Sequence, residues 1–94
     1  MLDAALKRAT AQLAAEEFFE AHDTLEEEWH RIPAGPLRTA VQGLIQICAG
    51  LHKRSRGQTK GSDYLISRGL TKVKLCSHAL PAEVVKPFID KTLE

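Results

Sequence analysis

Residues 37–56 read LRTAVQGLIQICAGLHKRSR, and this segment decides the predicted fold. Wound as a helix, it places apolar side chains along one stripe. The stripe consists of Leu37, Val41, Leu44, Ile45, Cys48, Leu51 and His52. The opposite side carries no charge and includes Gly43 and Gly50, although glycine costs about 1 kcal/mol in a helix interior. A helix that is uncharged on two sides is expected to pack on both, so we predict that this helix is the centre of the fold.

Helical periodicity continues on either side of this central helix, and no alternating pattern typical of strands occurs. We predict further helices at about 2–14, 16–30 and 59–78, and a last helix that begins near Pro81. Pro87 is expected to interrupt or restart that last helix. The sequence therefore predicts an all-α fold with a single domain over residues 1–94, a small bundle of about five helices arranged as helical hairpins.

The glycine-bearing side of the central helix has two candidate neighbours. Glycine lets another backbone approach closely, and that backbone can belong to the same chain or to a second copy. A homodimer seam is therefore one prediction for this side, and coverage by the fourth or fifth helix is the other.

Composition narrows the class of protein. Ninety-four residues support one core, and the net charge of +1 argues against a general polyanion binder, so nucleic acid is not an expected partner. Cys48 and Cys76 lie far apart without a CxxC motif, which indicates a reducing compartment and predicts a cytoplasmic protein. The longest uncharged run, 39–51, is too short to span a bilayer, so no membrane partner is predicted.

The charges are unevenly distributed along the chain. Residues 1–32 carry eight acids against three Lys or Arg, whereas the remainder carries four acids against ten Lys or Arg. Either the two parts attract each other within the fold, or one of them faces a charged partner. The densest basic segment, 52–60, contains no aromatic residue, so a solvated helix end is the expected role and a phosphate or nucleic-acid site is the alternative.

The second predicted helix contains the segment FFEAHDTLEEEW, residues 18–29. Its apolar stripe consists of Phe18, Ala21, Leu25 and Trp29, and Trp29 is expected to be a core anchor whose indole N–H finds a partner. His22 and Glu26 lie beside this stripe, one turn apart. An imidazole and a carboxylate on an aromatic helix face are costly unless they are paired, so this pair is the first candidate for function.

These residues together resemble the small helical proteins of domain-of-unknown-function family 309. The resemblance rests on Phe18-Phe19, Glu20-Ala21-His22-Asp23, Glu26, Trp29, Gln42 to Gln46, His52 and Arg56-Gly57. Asp23 stands where the family usually has Glu, and Ala15-Glu16 stands where an asparagine or glycine turn is common. The resemblance implies a compact helical fold and no established activity, so it assigns no catalytic roles.

The candidate ligand-binding residues are Phe19, Glu20, His22, Glu26, Trp29, Gln42, Gln46 and His52. Three interpretations stay open for them. The histidines can form a buried network with Glu26 and a glutamine, which fixes helix register. His22, Glu26 and His52 can together hold a divalent metal, with an open position for water. His22 and Glu26 can also act as an acid and base without metal.

The leading functional prediction is a helical binding or assembly module built around a His–Glu–Gln network. One alternative is a metal-dependent, hydrolase-like enzyme that uses His22, Glu26 and His52. Another is a helical-hairpin scaffold that binds a partner through the acidic second helix or through the basic segment 52–60. Whether the protein is an enzyme, and which ligand or partner it has, is not decided by the sequence.

Overall fold

The computed structural model describes residues 1–94 and contains five α-helices and no strand. They are α1 (Leu2–Ala14), α2 (Phe18–Trp29), α3 (Pro36–Ser55), α4 (Thr59–Leu75) and α5 (Ala82–Thr92). The all-α prediction is therefore confirmed, although α2 begins two residues later and α4 ends three residues earlier than predicted. None of the five helices combines the length and apolar character needed to cross a lipid bilayer.

Helix α3 is the centre of the bundle, as predicted. It contacts α2, α4 and α5, while α1 packs against α2 and α5 closes the bundle against α1 and α3. The α3 side chains at the heart of the core are fully buried, and they include Val41, Leu44, Ile47, Cys48 and Leu51. Burying side chains of this size stabilises the fold by about 1.5–3 kcal/mol each.

Helices α3 and α4 touch through their backbones. A Cβ added to Gly43 would lie 2.7 Å from the carbonyl oxygen of Gly69, and one added to Gly69 would lie 2.5 Å from that of Gly43. Two helical turns further along α3, a Cβ added to Gly50 would lie 3.1 Å from the carbonyl oxygen of Ser62. The glycine-bearing side of α3 is therefore covered by α4 of the same chain, and this side is not available as a homodimer seam.

We expect Gly69→Ala to destabilise the protein by about 1–3 kcal/mol, because the new methyl group meets a backbone carbonyl that cannot rotate away. Gly61→Ala is the matched control, since its Cβ would meet only the flexible side chain of Lys53 at 3.1 Å. That substitution should be neutral or stabilise α4 by up to about 1 kcal/mol. Urea denaturation measures both, and equal effects would contradict the backbone contact.

The turns after α1 and after α3 share one hydrogen-bond pattern. The N–H of Gly57 donates to Arg54 O at 3.0 Å and that of Gln58 to Lys53 O at 2.9 Å, with Gly57 at φ +76°. This is the Schellman arrangement expected of a glycine that ends a helix. After α1 the same pattern is formed with Glu16 at φ +61°, so a residue with a side chain occupies the left-handed position there.

The prediction that Pro87 interrupts the last helix is wrong, because α5 continues through it. Proline removes the hydrogen bond to the carbonyl of Glu83, and that residue is exposed, so water can satisfy the carbonyl. Phe88 beside it is fully buried and Val85 nearly so. Burial of this apolar face offsets the missing hydrogen bond.

The two cysteines should differ sharply in reactivity. Burial raises the pKa of the Cys48 thiol to about 12, whereas Cys76 is half-buried. At pH 8 we expect a disulfide reagent such as DTNB to modify Cys76 in the folded protein, and Cys48 only after unfolding. Equal modification rates of the two thiols in the folded protein would contradict the buried position of Cys48. In Cys76→Ser, only the slowly reacting thiol of Cys48 remains.

The raised pKa of Cys48 also predicts a pH dependence of stability. Between pH 9 and 12 the Cys48 thiol ionises in the unfolded chain but stays protonated in the folded protein, so the free energy of unfolding should fall as pH rises through this range.

Candidate functional site

His22 lies at the rim of a surface groove and not within the core. Its side chain is 22% exposed, with Nδ1 3.1 Å from Oδ1 of Asp23 and Nε2 3.4 Å from Oε2 of Glu26. The Glu26 side chain is 47% exposed. His22 and Glu26, which the sequence places one helical turn apart, thus lie side by side. A carboxylate stands beside each nitrogen of the imidazole ring.

Phe19 connects the two histidines that the sequence analysis singled out. Its ring stacks on His22 with the centroids 6.1 Å apart and the planes 12° apart, and it contacts His52 of α3 with centroids 5.4 Å apart. Phe19 is 53% exposed, in contrast to the buried Phe18 beside it. Phe19 is therefore a half-exposed aromatic ring held at the surface between two imidazoles.

A groove of about 270 Å³ opens beside these rings. It is lined by Phe19, His22, Ala49, His52, Lys53, Arg56 and Gln58. One end is therefore aromatic and the other is cationic, and no carboxylate lines it. Such a surface can accept an anionic group and hold a flat apolar group beside it.

The turn after α3 supplies the cationic end. Gly57 reverses the chain so that Gln58 returns beside Lys53, with Lys53 Nζ 3.4 Å from Gln58 Oε1. The stem of Lys53 passes over Gly61, which has no side chain to obstruct it. In the sequence, the basic segment 52–60 and the pair His22 and Glu26 are separate features. His52, which belongs to both, was the signal that they meet.

The structure does not join the remaining candidates into one network. Gln46 accepts a hydrogen bond from Lys72 Nζ at 3.0 Å, on the side of α3 that faces α4. No hydrogen bond links Gln42 to the histidines, and Glu20 is exposed on α2. No group of three His, Cys, Asp or Glu side chains is placed to hold a metal ion, so His22, Glu26 and His52 do not form a three-ligand set.

Trp29 is a structural anchor, and the predicted partner of its indole is present. Nε1 donates to the carbonyl oxygen of Arg38 at 3.0 Å, and the Arg38 guanidinium lies 4.0 Å over the ring. Nη1 of Arg38 also donates to Ile32 O at 2.6 Å. These contacts tie the end of α2 to the start of α3, and the covered ring face is not available to a ligand.

The cations of the basic segment 52–60 have different roles. Arg54 donates to the carbonyl oxygens of Lys91 and Thr92, both at 2.9 Å, and so caps the C-terminus of α5. Lys53 and Arg56 line the groove instead. Segment 52–60 is therefore in part a structural clasp, through Arg54, and in part the wall of the groove, through Lys53 and Arg56.

We expect Arg54→Ala to lower the free energy of unfolding by about 1.5–3 kcal/mol, because two charge-assisted hydrogen bonds to α5 are lost. Arg56→Ala, two residues away and exposed, should change stability by less than about 0.5 kcal/mol. Urea unfolding followed by circular dichroism compares the two variants. An Arg54→Ala protein as stable as the parent would show that the clasp is unimportant.

A larger groove, of about 580 Å³, lies between α4 and α5. Its walls are mainly apolar and include Val73, Val85 and Ile89, and the ion pair Lys86–Asp90 belongs to its rim. None of the residues singled out in the sequence lines it. The groove beside Phe19 is smaller, but it is the one that contains imidazole and cationic side chains together with an aromatic ring.

Five helices packed as hairpins around α3, with an aromatic and cationic groove on one side, define a small all-α helical-bundle protein. The chain belongs to the family described as Domain of unknown function (DUF309), whose sequence model matches residues 6–65. The match includes every residue of the groove and excludes α5. No curated protein and no solved structure matched the chain in the corresponding comparisons.

Proposed function

We propose that this protein is a binding module whose ligand site is the groove between α2 and the end of α3. The proposed ligand is a small molecule or side-chain group that carries an anion beside a flat apolar part. The observation that carries the proposal is the meeting of Phe19, His22 and His52 with Lys53 and Arg56 in one groove.

The electrostatics of the groove support an anionic ligand. Neither Lys53 nor Arg56 forms an ion pair with a carboxylate of this chain, and Arg56 is exposed. Guanidinium and ammonium groups bind phosphate and carboxylate oxygens with charge-assisted hydrogen bonds. The Phe19 ring, half exposed beside them, offers a face for the flat part of the same ligand.

The groove favours binding over catalysis. Its lining includes no Ser, Thr, Cys, Asp or Glu side chain that could act as a nucleophile or as a carboxylate base. His22, the candidate base, has a carboxylate beside each ring nitrogen, so neither nitrogen is directed solely at a ligand. A role for Asp23 and Glu26 in orienting the imidazole is consistent with binding.

Phenyl phosphate is a suitable probe, because it combines an anion with a flat apolar ring. We expect its titration to shift the imidazole NMR signals of His22 and His52 in a saturable way, while those of His30 and His78 stay unchanged. Phenyl phosphate should bind more tightly than inorganic phosphate, and Phe19→Ala should remove this difference. Parallel shifts of all four histidines, or none, would contradict the proposal.

Arg56→Ala should weaken phenyl phosphate binding at least about tenfold, the loss expected for a charge-assisted hydrogen bond. Arg8→Ala is the matched control, since Arg8 is exposed on α1 and does not line the groove. Equal affinity of the two variants would show that the cationic end of the groove does not bind the anion.

A further inference from the structure

The acidic and basic parts of the chain do not neutralise each other in the fold. A single ion pair, from Lys91 Nζ to Glu16 Oε2 at 3.2 Å, joins residues 1–32 to the basic remainder. The other pairs lie within one part or the other, as in Arg31–Glu28 and Lys86–Asp90. Of the two interpretations of the uneven charge, the structure therefore favours a surface that faces a charged partner.

Two unpaired cations, Lys60 and Arg68, flank an aromatic residue on the outer face of α4. Lys60, Tyr64 and Arg68 follow one another at intervals of four residues, which places them about 6 Å apart along the helix axis. None of the four Lys and Arg side chains of α4 forms an ion pair, and Asp63 is the one acid of this helix. Lys60 and Arg68 are thus positioned for two anionic groups on either side of the Tyr64 ring.

Tyr64 adds an aromatic face to this row. Its side chain is 62% exposed, and the Arg68 guanidinium lies 5.6 Å from the ring centroid. Lys72 extends the row toward α3, and both its burial and the nearby charge of Arg68 lower its pKa. An anion on this face would relieve the repulsion between the two cations.

We propose that the outer face of α4 binds single-stranded nucleic acid, with a base stacked on Tyr64 and backbone phosphates held by Lys60 and Arg68. An exposed aromatic ring between cations is the combination that single strands require, because their bases are free to stack. A duplex hides its base faces, and an acidic peptide offers no repeated flat groups. The proposal stands on α4 alone and goes beyond the anion groove.

This proposal revises the expectation from net charge that nucleic acid is not a partner. That expectation rested on the net charge of the whole chain and on the segment 52–60, which contains no aromatic residue. Tyr64 lies four residues beyond that segment, one helical turn after Lys60. Five of the twelve acids lie on α2, which packs against α3, whereas Lys60, Tyr64 and Arg68 are exposed on α4.

The test is fluorescence anisotropy with a labelled oligouridylate of about 12 nucleotides. Two phosphate contacts to a single strand should lower the affinity about sevenfold between about 50 and 200 mM salt. Tyr64→Ala should weaken binding about tenfold, the loss of one stacked base. Arg68→Glu should also weaken binding and flatten its salt dependence. Circular dichroism confirms that the variants, altered at exposed positions, stay folded.

Two matched controls test the location of the site. Phe19→Ala removes an exposed aromatic ring at the groove, and Lys86→Glu reverses an exposed charge on α5. Neither should change the affinity for oligouridylate, so failure here is distinguishable from failure of the proposed groove. The proposal is overturned if the oligonucleotide does not bind at low salt, if Tyr64→Ala has no effect, if a duplex binds as tightly, or if oligoglutamate competes as well as unlabelled oligouridylate.

Discussion

The backbone contact between α3 and α4 at Gly43 and Gly69 is the constraint on which the rest of the structure depends. Each glycine lies where a Cβ would collide with the carbonyl oxygen of the other. The helices can therefore approach closely only in the register that brings these positions together. This register buries Ile47 and Val73 against the opposite helix and directs Tyr64 and Arg68 outward. Two helix-weakening residues are tolerated because the packing that they permit offsets their cost.

The groove follows from the way α3 ends. Gly57 lets the chain reverse within one turn, and α4 starts beside the last turn of α3. Gln58 then lies next to Lys53, and His52 is left facing the Phe19 ring of α2. The candidate site is thus built from a helix terminus and two helix faces. Its geometry depends on α2 and α3 being held together, which the Trp29–Arg38 contacts accomplish at the other end.

Few of the charged side chains form contacts that stabilise the fold. Arg54 donates to the carbonyls of α5, and Lys91 pairs with Glu16 and Glu94. The Lys and Arg side chains of α4 and of the groove have no acidic partner within the chain. Surface ion pairs contribute little to stability in any case, typically 0–1 kcal/mol. The cations of the groove and of α4 therefore add little to stability, and both binding proposals rest on them.

The number of helices and the central place of α3 were determined by the sequence itself, because hydrophobic periodicity, proline and glycine act over a few residues. The proximity of His22 to Glu26 was equally local, since one helical turn separates them. Tertiary structure alone decided that α4 covers Gly43, that Phe19 joins His22 to His52, that Arg54 caps α5 and that α5 continues through Pro87. Each of these depends on contacts between residues distant in the chain or on burial of a whole helix face, and no local pattern specifies which distant partner will be met.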